Sequence, residues 1–298
     1  MRLTQEIEPN VEFEGIDCDF CSSKKYEVWA QSRSNRLTRC SDCGLIRTNP
    51  RIKDKDYKYK KLYDSAYFLQ KNRFTKEEKD ARIKTYQKEY SSLFEIVKGG
   101  KILDVGCGMG TFLSEMKGDW NKFGCDVSEF GLQTAAQFGI KTYLGEFEEL
   151  NFDIQKFDVI YMRASLHHTY SPSKCIKRAH ELLNANGILA LTMCSNSDGV
   201  MGKLFRGHVK SYDQTVNYLF NSKTLRWFLE KTGFEIICCE YPYFGTGYNS
   251  IRDILQFPIL YSKYIYARFK KIENSINFRD IASPAFYGNY LNIYARKK

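Results

Sequence analysis

Residues 101–110 read KILDVGCGMG, and residues 111–117 continue as TFLSEMK. Ile102, Leu103 and Val105 make a short apolar strand, and Asp104 interrupts it just before the first glycine. Gly106, Gly108 and Gly110 then alternate, which lets the backbone turn tightly and lets a ligand come close to it. The helix start that follows offers unpaired N–H groups and a partial positive charge to an anionic group. The spacing is G-x-G-x-G, which sets this loop apart from the G-x-G-x-x-G of nicotinamide and flavin sites.

Downstream of the loop, strand and helix patterns alternate. Strands are expected over 101–105, 122–127, 141–144, 157–163 and 188–194, with helices over 129–138 and 173–183 between them. This alternation predicts an α/β fold, a doubly wound parallel sheet with its ligand at the carboxyl ends of the strands.

Over roughly residues 100–240 the chain resembles class I S-adenosylmethionine-dependent methyltransferases. ILDVGCGMG is similar to their first motif, and Asp126 stands at the end of the second strand, where the family places an acid. GEFEEL (145–150) follows the third strand, FDVIYMRASLHH is similar to the fourth motif, and ELLNANGILALTM to the helix-turn-strand after it. Asn196 falls where many relatives carry Pro-Asn. The resemblance implies a Rossmann-like, seven-stranded sheet whose last strand, within 284–296, is antiparallel. It also implies S-adenosylmethionine as cofactor. Gly106, Gly108 and Gly110 would approach the methionine part, Asp104 would hold its ammonium, Asp126 would accept the ribose hydroxyls, and Glu146 and Phe147 would meet the adenine.

An in-line methyl transfer needs the acceptor aligned, and a hydroxyl or carbon acceptor also needs a base. Of four histidines, His167 and His168 are adjacent, in the loop that faces the transferred methyl in the family. Relatives often carry Glu-His there, so His168 is the first candidate for base or acceptor-orienting residue and His167 the second. His208 is a weaker third, and His180 reads as helix structure. Arg163 ends the fourth strand, as a structural ion pair or a substrate contact. Tyr212, Tyr218 and Phe220 are candidate acceptor-pocket residues.

The N-terminal part carries a different signature. Cys18 and Cys21 form one C-x2-C, and Cys40 and Cys43 a second, the spacing of a structural four-thiolate zinc ribbon. Residues 1–50 hold 7 Lys/Arg against 8 Asp/Glu, which argues against a nucleic-acid reader. A helical lead-in follows over 51–99, with Thr75 and Glu78 as a capping box. The remainder, 100–298, is the methyltransferase domain, with Ser222 capping a helix and an insertion at 245–283. Within it, 250–271 is apolar, aromatic and basic, broken by Pro258, and suits a lid, a packed insertion or a peripheral membrane contact.

The net charge of +10 lies mainly in the flanks: residues 51–90 hold 13 Lys/Arg against 7 Asp/Glu, and 200–298 hold 15 against 7. That balance suits an anionic partner as well as solvated helix faces. No apolar run spans a bilayer and the first ten residues are polar, so a cytoplasmic location is expected, where ten cysteines indicate metal binding rather than disulfides. A four-cysteine module followed by Asn-Pro-Arg is similar to sugar and surface-polysaccharide methyltransferases. The expected acceptor is therefore a small molecule such as a nucleotide- or lipid-linked sugar. An RNA methyltransferase and a non-catalytic scaffold are the alternatives.

Overall fold

The computed structural model describes residues 11–31, 36–63, 75–153, 156–206, 215–272 and 286–298. In chain order, β1 (Phe13–Glu14) pairs antiparallel with β5 (Arg51–Ile52), and between them run β2 (Tyr26–Gln31), β3 (Arg36–Cys40) and β4 (Ile46–Thr48). The lead-in contains α1 (Lys55–Leu62), capped by Asp54, and α2 (Lys76–Ile96). At α2 the Thr75 side chain accepts from Glu78 N while Glu78 accepts from Thr75 N, so the capping box is reciprocal and worth about 1 kcal/mol.

The main domain is built from β6 (Gly100–Val105), α3 (Thr111–Glu115), β7 (Trp120–Asp126), α4 (Glu129–Gln137), β8 (Lys141–Leu144), β9 (Phe157–Arg163), α5 (Pro172–Leu182) and β10 (Leu183–Ser195). It continues through α6 (Val200–Phe205), β11 (Tyr218–Leu219), α7 (Ser222–Lys231), β12 (Phe234–Glu240), α8 (Ile251–Phe269) and β13 (Tyr290–Lys297). The seven-stranded sheet runs β12-β13-β10-β9-β6-β7-β8. The last five of these are mutually parallel, and β13 lies antiparallel between β10 and β12. Helices cover both faces, so the central strands are apolar runs rather than alternating ones: Val159, Ile160, Tyr161 and Met162 of β9 are all buried. Each such side chain contributes roughly 1.5–3 kcal/mol relative to exposure.

The cysteine-bearing segment is not closed on itself. Its sheet runs β11-β4-β3-β2, so two residues from beyond β10 complete it. Phe20 stacks on Phe228 of α7 at 4.0 Å, and Thr224 Oγ1 donates to the Cys43 carbonyl. The segment is thereby seated on the edge of the main domain where β10 ends, since Asn196 bridges to Phe220.

Three expectations are corrected. Asn221, not Ser222, caps α7, its side chain accepting from Thr224 N. Pro258 does not break α8, which runs through it. Tyr218 and Phe220 are fully buried core residues, Phe220 against Phe20, rather than pocket lining. Tyr212 and His208 lie outside the described residues.

Candidate functional site

The site forms where β6, β7, β9 and β10 end. After β6 the chain turns through Gly106 (φ 77°) and Gly110 (φ 72°), the latter serving as N-cap of α3. Any side chain here would be strained as well as crowded: a Cβ on Gly106 would sit 2.7 Å from Ser165 Cβ, and one on Gly110 2.6 Å from Ile140 Cδ1. The Asp126 carboxylate ties the loop down, accepting from Gly108 N at 2.8 Å and from Ser128 N at 2.9 Å. A carboxylate has about four acceptor sites, so these bonds leave it acceptor capacity.

Asp104 is 2% exposed, and its Oδ1 has no hydrogen-bond partner among the described residues. Burial pushes its carboxyl up to about 7, although Arg163 pulls it down; Asp126 and Glu89 push it further up. The buried hydroxyls of Ser165 and Ser195, just after β9 and at the end of β10, are likewise without partners among the described residues. Buried polar atoms in folded proteins are almost always hydrogen-bonded, so orphans gathered at one end of a parallel sheet indicate a ligand's place. Ala164, between Arg163 and Ser165, holds φ 51°, a conformation that costs a non-glycine residue and concentrates at such sites. Sequence reasoning did not single out Ser165, Ala164 or Ser195.

Arg163 proves to be an ion-pair residue. Its Nε and Nη2 donate to Glu89 of α2 at 2.9 and 3.2 Å, and Tyr161 Oη donates to the same carboxylate. Burial works against the guanidinium's charge, but Glu89 beside it prevails and the pKa is raised. This pair fixes α2 to the sheet beside Asp104. Glu89→Ala leaves a guanidinium buried without its carboxylate, and is expected to cost about 3–5 kcal/mol, read as a fall in the urea midpoint.

Glu146 and Phe147 separate in role. Glu146 receives Lys55 Nζ from α1 at 2.9 and 3.0 Å, which holds the lead-in helix against the loop after β8. Phe147 is 3% exposed and packs beside Phe152 in the core.

The histidines sit on a 3-10 turn, Leu166–His168. His168 Nδ1 is 2.8 Å from the Thr215 carbonyl. A carbonyl only accepts, so in the neutral ring Nδ1 carries the proton and Nε2 holds the lone pair of a base. His167 is buried, its ring 4.2 Å from that of His168. Asn217 clamps the turn: its N–H donates to His167 O, and its Nδ2 donates to His168 O and Thr169 O, all at 2.9 Å. Asn217 Oδ1 accepts from Lys58 Nζ at 2.6 Å, and its carbonyl accepts from Thr48 N of β4. One residue thus joins the cysteine segment, through its backbone carbonyl, to α1 and the histidine turn, through its side chain. Nearby, Tyr170 is surrounded by cations: Arg51 at 4.5 Å, Lys58 at 5.2 Å and Lys55 at 5.5 Å from its ring centre. His180 lies apart, its ring edge-on to Phe234.

The four cysteines converge. Cys18 and Cys43 Sγ are 3.4 Å apart, Cys21 and Cys40 Sγ 3.5 Å, and all four sulfurs lie within 4.8 Å of one another. A tetrahedron with Zn–S arms of about 2.3 Å has edges of roughly 3.8 Å, so the cluster has the size and donor set for zinc. Packed this closely, the thiols cannot ionise together unaided. A hydrogen bond from Cys43 lowers Cys18 to about 5, while Cys18 and burial push Cys43 up. Asp19, inside the first C-x2-C, accepts from Ser171 Oγ and Ser173 N at 2.7 Å each, capping α5 directly after the histidine turn.

The strand order, the glycine turn and the acid ahead of it define a class I S-adenosylmethionine-dependent methyltransferase fold. Residues 77–239 match the family model described as a methyltransferase domain, more than half of the chain, and the protein belongs to that family. It is 26% identical over 163 residues to a phosphoethanolamine N-methyltransferase of Triticum aestivum, covering 51% of this chain and 31% of that one. It is 31% identical over 158 residues to a tRNA U34 carboxymethyltransferase of Hydrogenovibrio crunogenus, covering 48% and 47%. The chain thus spans less than half of the length of these curated relatives, 31% and 47%. Magnesium protoporphyrin IX methyltransferase from Synechocystis PCC 6803, solved with bound SAH, shares the fold at TM-score 0.53 and 16% identity, over 82% of this chain and 100% of that one.

Proposed function

We propose that the protein transfers the methyl group of S-adenosylmethionine to a small anionic acceptor, a nucleotide- or lipid-linked sugar, and that its four cysteines hold a structural zinc ion. The observation that carries the cofactor reading is Asp104: a buried carboxylate with an unsatisfied oxygen, at the head of a glycine turn that excludes side chains. Asp104 would receive the cofactor's ammonium, Asp126 its ribose hydroxyls, and the Gly106–Gly110 backbone its methionine portion. Glu146 and Phe147 stand on the loop assigned to the adenine. When bound, the cofactor supplies a methyl group already activated on a sulfonium, so the protein's work is alignment and the exclusion of water. His168, with Nδ1 held by the Thr215 carbonyl, would take the acceptor's proton at Nε2; His167 packs behind it.

The acceptor's charge is read from the basic excess of residues 51–90, 13 Lys/Arg against 7 Asp/Glu; three of these cations, Arg51, Lys55 and Lys58, gather around Tyr170 beside the histidine turn, with Glu14 and Glu146 as partners of the first two. The phosphate-bearing acceptor named for the wheat relative agrees with that sign. Titration calorimetry with S-adenosylmethionine and S-adenosylhomocysteine tests the cofactor, and mass spectrometry of nucleotide-sugars after incubation with labelled cofactor tests the acceptor. His168→Ala is expected to lower turnover by about 10²–10⁴-fold with cofactor affinity unchanged. Absence of cofactor binding would leave a scaffold. Methylation of RNA, with salt-sensitive RNA binding and inert nucleotide-sugars, would replace the small acceptor.

A further inference from the structure

Helix α8 is apolar on two opposite faces. The inner one carries Phe257, Tyr261, Tyr264 and Ala267, packed around Phe205 of α6 and against Phe286. That packing alone accounts for a stable helix. The outer one carries Ile251 (75% exposed), Leu255 (69%), Ile259 (58%), Tyr266 (60%) and Phe269 (82%). At 3.6 residues per turn these five positions fall on one stripe, roughly opposite the buried one. Isolated exposed apolar residues are ordinary, but a continuous stripe on one helix marks a surface that meets another phase or partner.

The charges identify which. Arg252, Lys263 and Lys270 follow one edge of the stripe; on its other side the exposed Ile254 and Ile265 stand between the stripe and Arg268, and Asp253 is the helix's acid. A row of basic side chains beside an apolar stripe lets a helix lie in the plane of an anionic surface, apolar residues down and ammonium groups snorkelling to the phosphates. A partner protein's apolar groove would not require that row of cations. Among the described residues no helix is long and apolar enough to cross a membrane, so the contact would be in-plane. The exposed rings of Phe244 and Tyr287, 5.5 Å apart, extend the apolar surface at the root of α8 through Tyr243 and Phe286.

We infer that the outer face of α8 docks the protein on an anionic lipid bilayer. This stands independently of the acceptor reading, since the face is remote in sequence from the glycine turn and the histidines. The test is co-sedimentation of the full chain with phosphatidylcholine vesicles made with and without phosphatidylglycerol. Binding is expected only to the anionic vesicles, and to weaken with added salt. Leu255→Asp/Ile259→Asp, substitutions at exposed positions, should reduce the bound fraction at least about tenfold with melting temperature and S-adenosylhomocysteine binding unchanged. Lys263→Glu/Lys270→Glu should reduce it about as much. Three outcomes would overturn the inference: no sedimentation with either vesicle, equal sedimentation with both, or a concentration-dependent dimer that Leu255→Asp/Ile259→Asp dissociates without vesicle binding. The last would assign the face to a second copy of the chain.

Discussion

Asp104→Asn is expected to weaken cofactor binding by about 10- to 100-fold while making the unliganded protein more stable. Both effects follow from one carboxyl, raised from 3.8 to about 7 by burial. At 1.36 kcal/mol per pH unit, ionising it in the folded state above pH 7 costs up to about 4 kcal/mol. Between about pH 4 and pH 7 the native protein keeps a proton that the unfolded chain has released. The stability due to this group therefore falls as pH rises through that window, and stays low above it. Asparagine carries no such charge, so the variant should unfold at higher urea than wild type at pH 8, and its advantage should shrink to less than half of that, about 1.6 kcal/mol, at pH 5. Cofactor affinity runs the other way. An ammonium needs the ionised carboxylate, so wild-type association should rise with pH up to about 7 and then level off. In Asp104→Asn it should be weak by about 10- to 100-fold at pH 8 and flat with pH, the loss expected for a charged hydrogen bond. Calorimetry with S-adenosylhomocysteine and paired urea melts at the two pH values read both arms. A variant that binds normally, or that is less stable than wild type at pH 8, would remove Asp104 from the cofactor site.

What the sequence disclosed and what it withheld divide by the range of the interaction. The glycine turn, Asp126 at the end of β7 and the Thr75–Glu78 capping box are local patterns, each within a few residues of the element it specifies. The paired cysteines were equally plain, because two C-x2-C turns announce four convergent sulfurs. Asn221 and Ser222 are both capping residues, and the choice between them rests on which side chain reaches Thr224 N. Pro258 reads as a break, but it sits at an exposed position of α8, where water can satisfy a carbonyl left without its N–H partner, and Ser262 Oγ donates to the Pro258 carbonyl. Asn217, Asp19 and Glu89 were not legible. Their partners lie 159, 154 and 74 residues away, and nothing in VNYLF or CDFC distinguishes a clamp from an ordinary polar residue. These long-range bonds are what turn a methyltransferase core with an N-terminal segment into one joined structure. Asp19 caps α5, Asn217 fixes the histidine turn, and Glu89 fixes α2.

That joining predicts the effect of removing the metal. Purified protein is expected to contain one zinc ion per chain, and Cys40→Ala or a strong chelator should remove it with a large drop in melting temperature, since small zinc modules depend on the metal for most of their stability. Arg47 supports a charged cluster at this place. It is fully buried, its Nε donates to the carbonyl of Ile16 two residues from Cys18, and its Nη1 and Nη2 have no hydrogen-bond partner among the described residues. A zinc ion with four thiolates carries two net negative charges, a counter-charge for a guanidinium buried nearby. The damage should not be uniform. Asp126 and the glycine turn are held by β6, β7 and α4, and β6 and β7 belong to a different sheet from the cysteine strands, so S-adenosylhomocysteine affinity should stay within about threefold in whatever fraction remains folded. The histidine turn depends on Asn217, which bonds to Thr48 of β4, and on β11, whose only strand partner in the described structure is β4. Turnover should therefore fall by at least about 100-fold, the scale expected when a base and acceptor site lose their alignment. Metal-free protein with unchanged melting temperature would show that the cysteines hold nothing structural. Parallel loss of cofactor affinity and turnover would show that the cysteine segment supports the whole domain rather than its acceptor side.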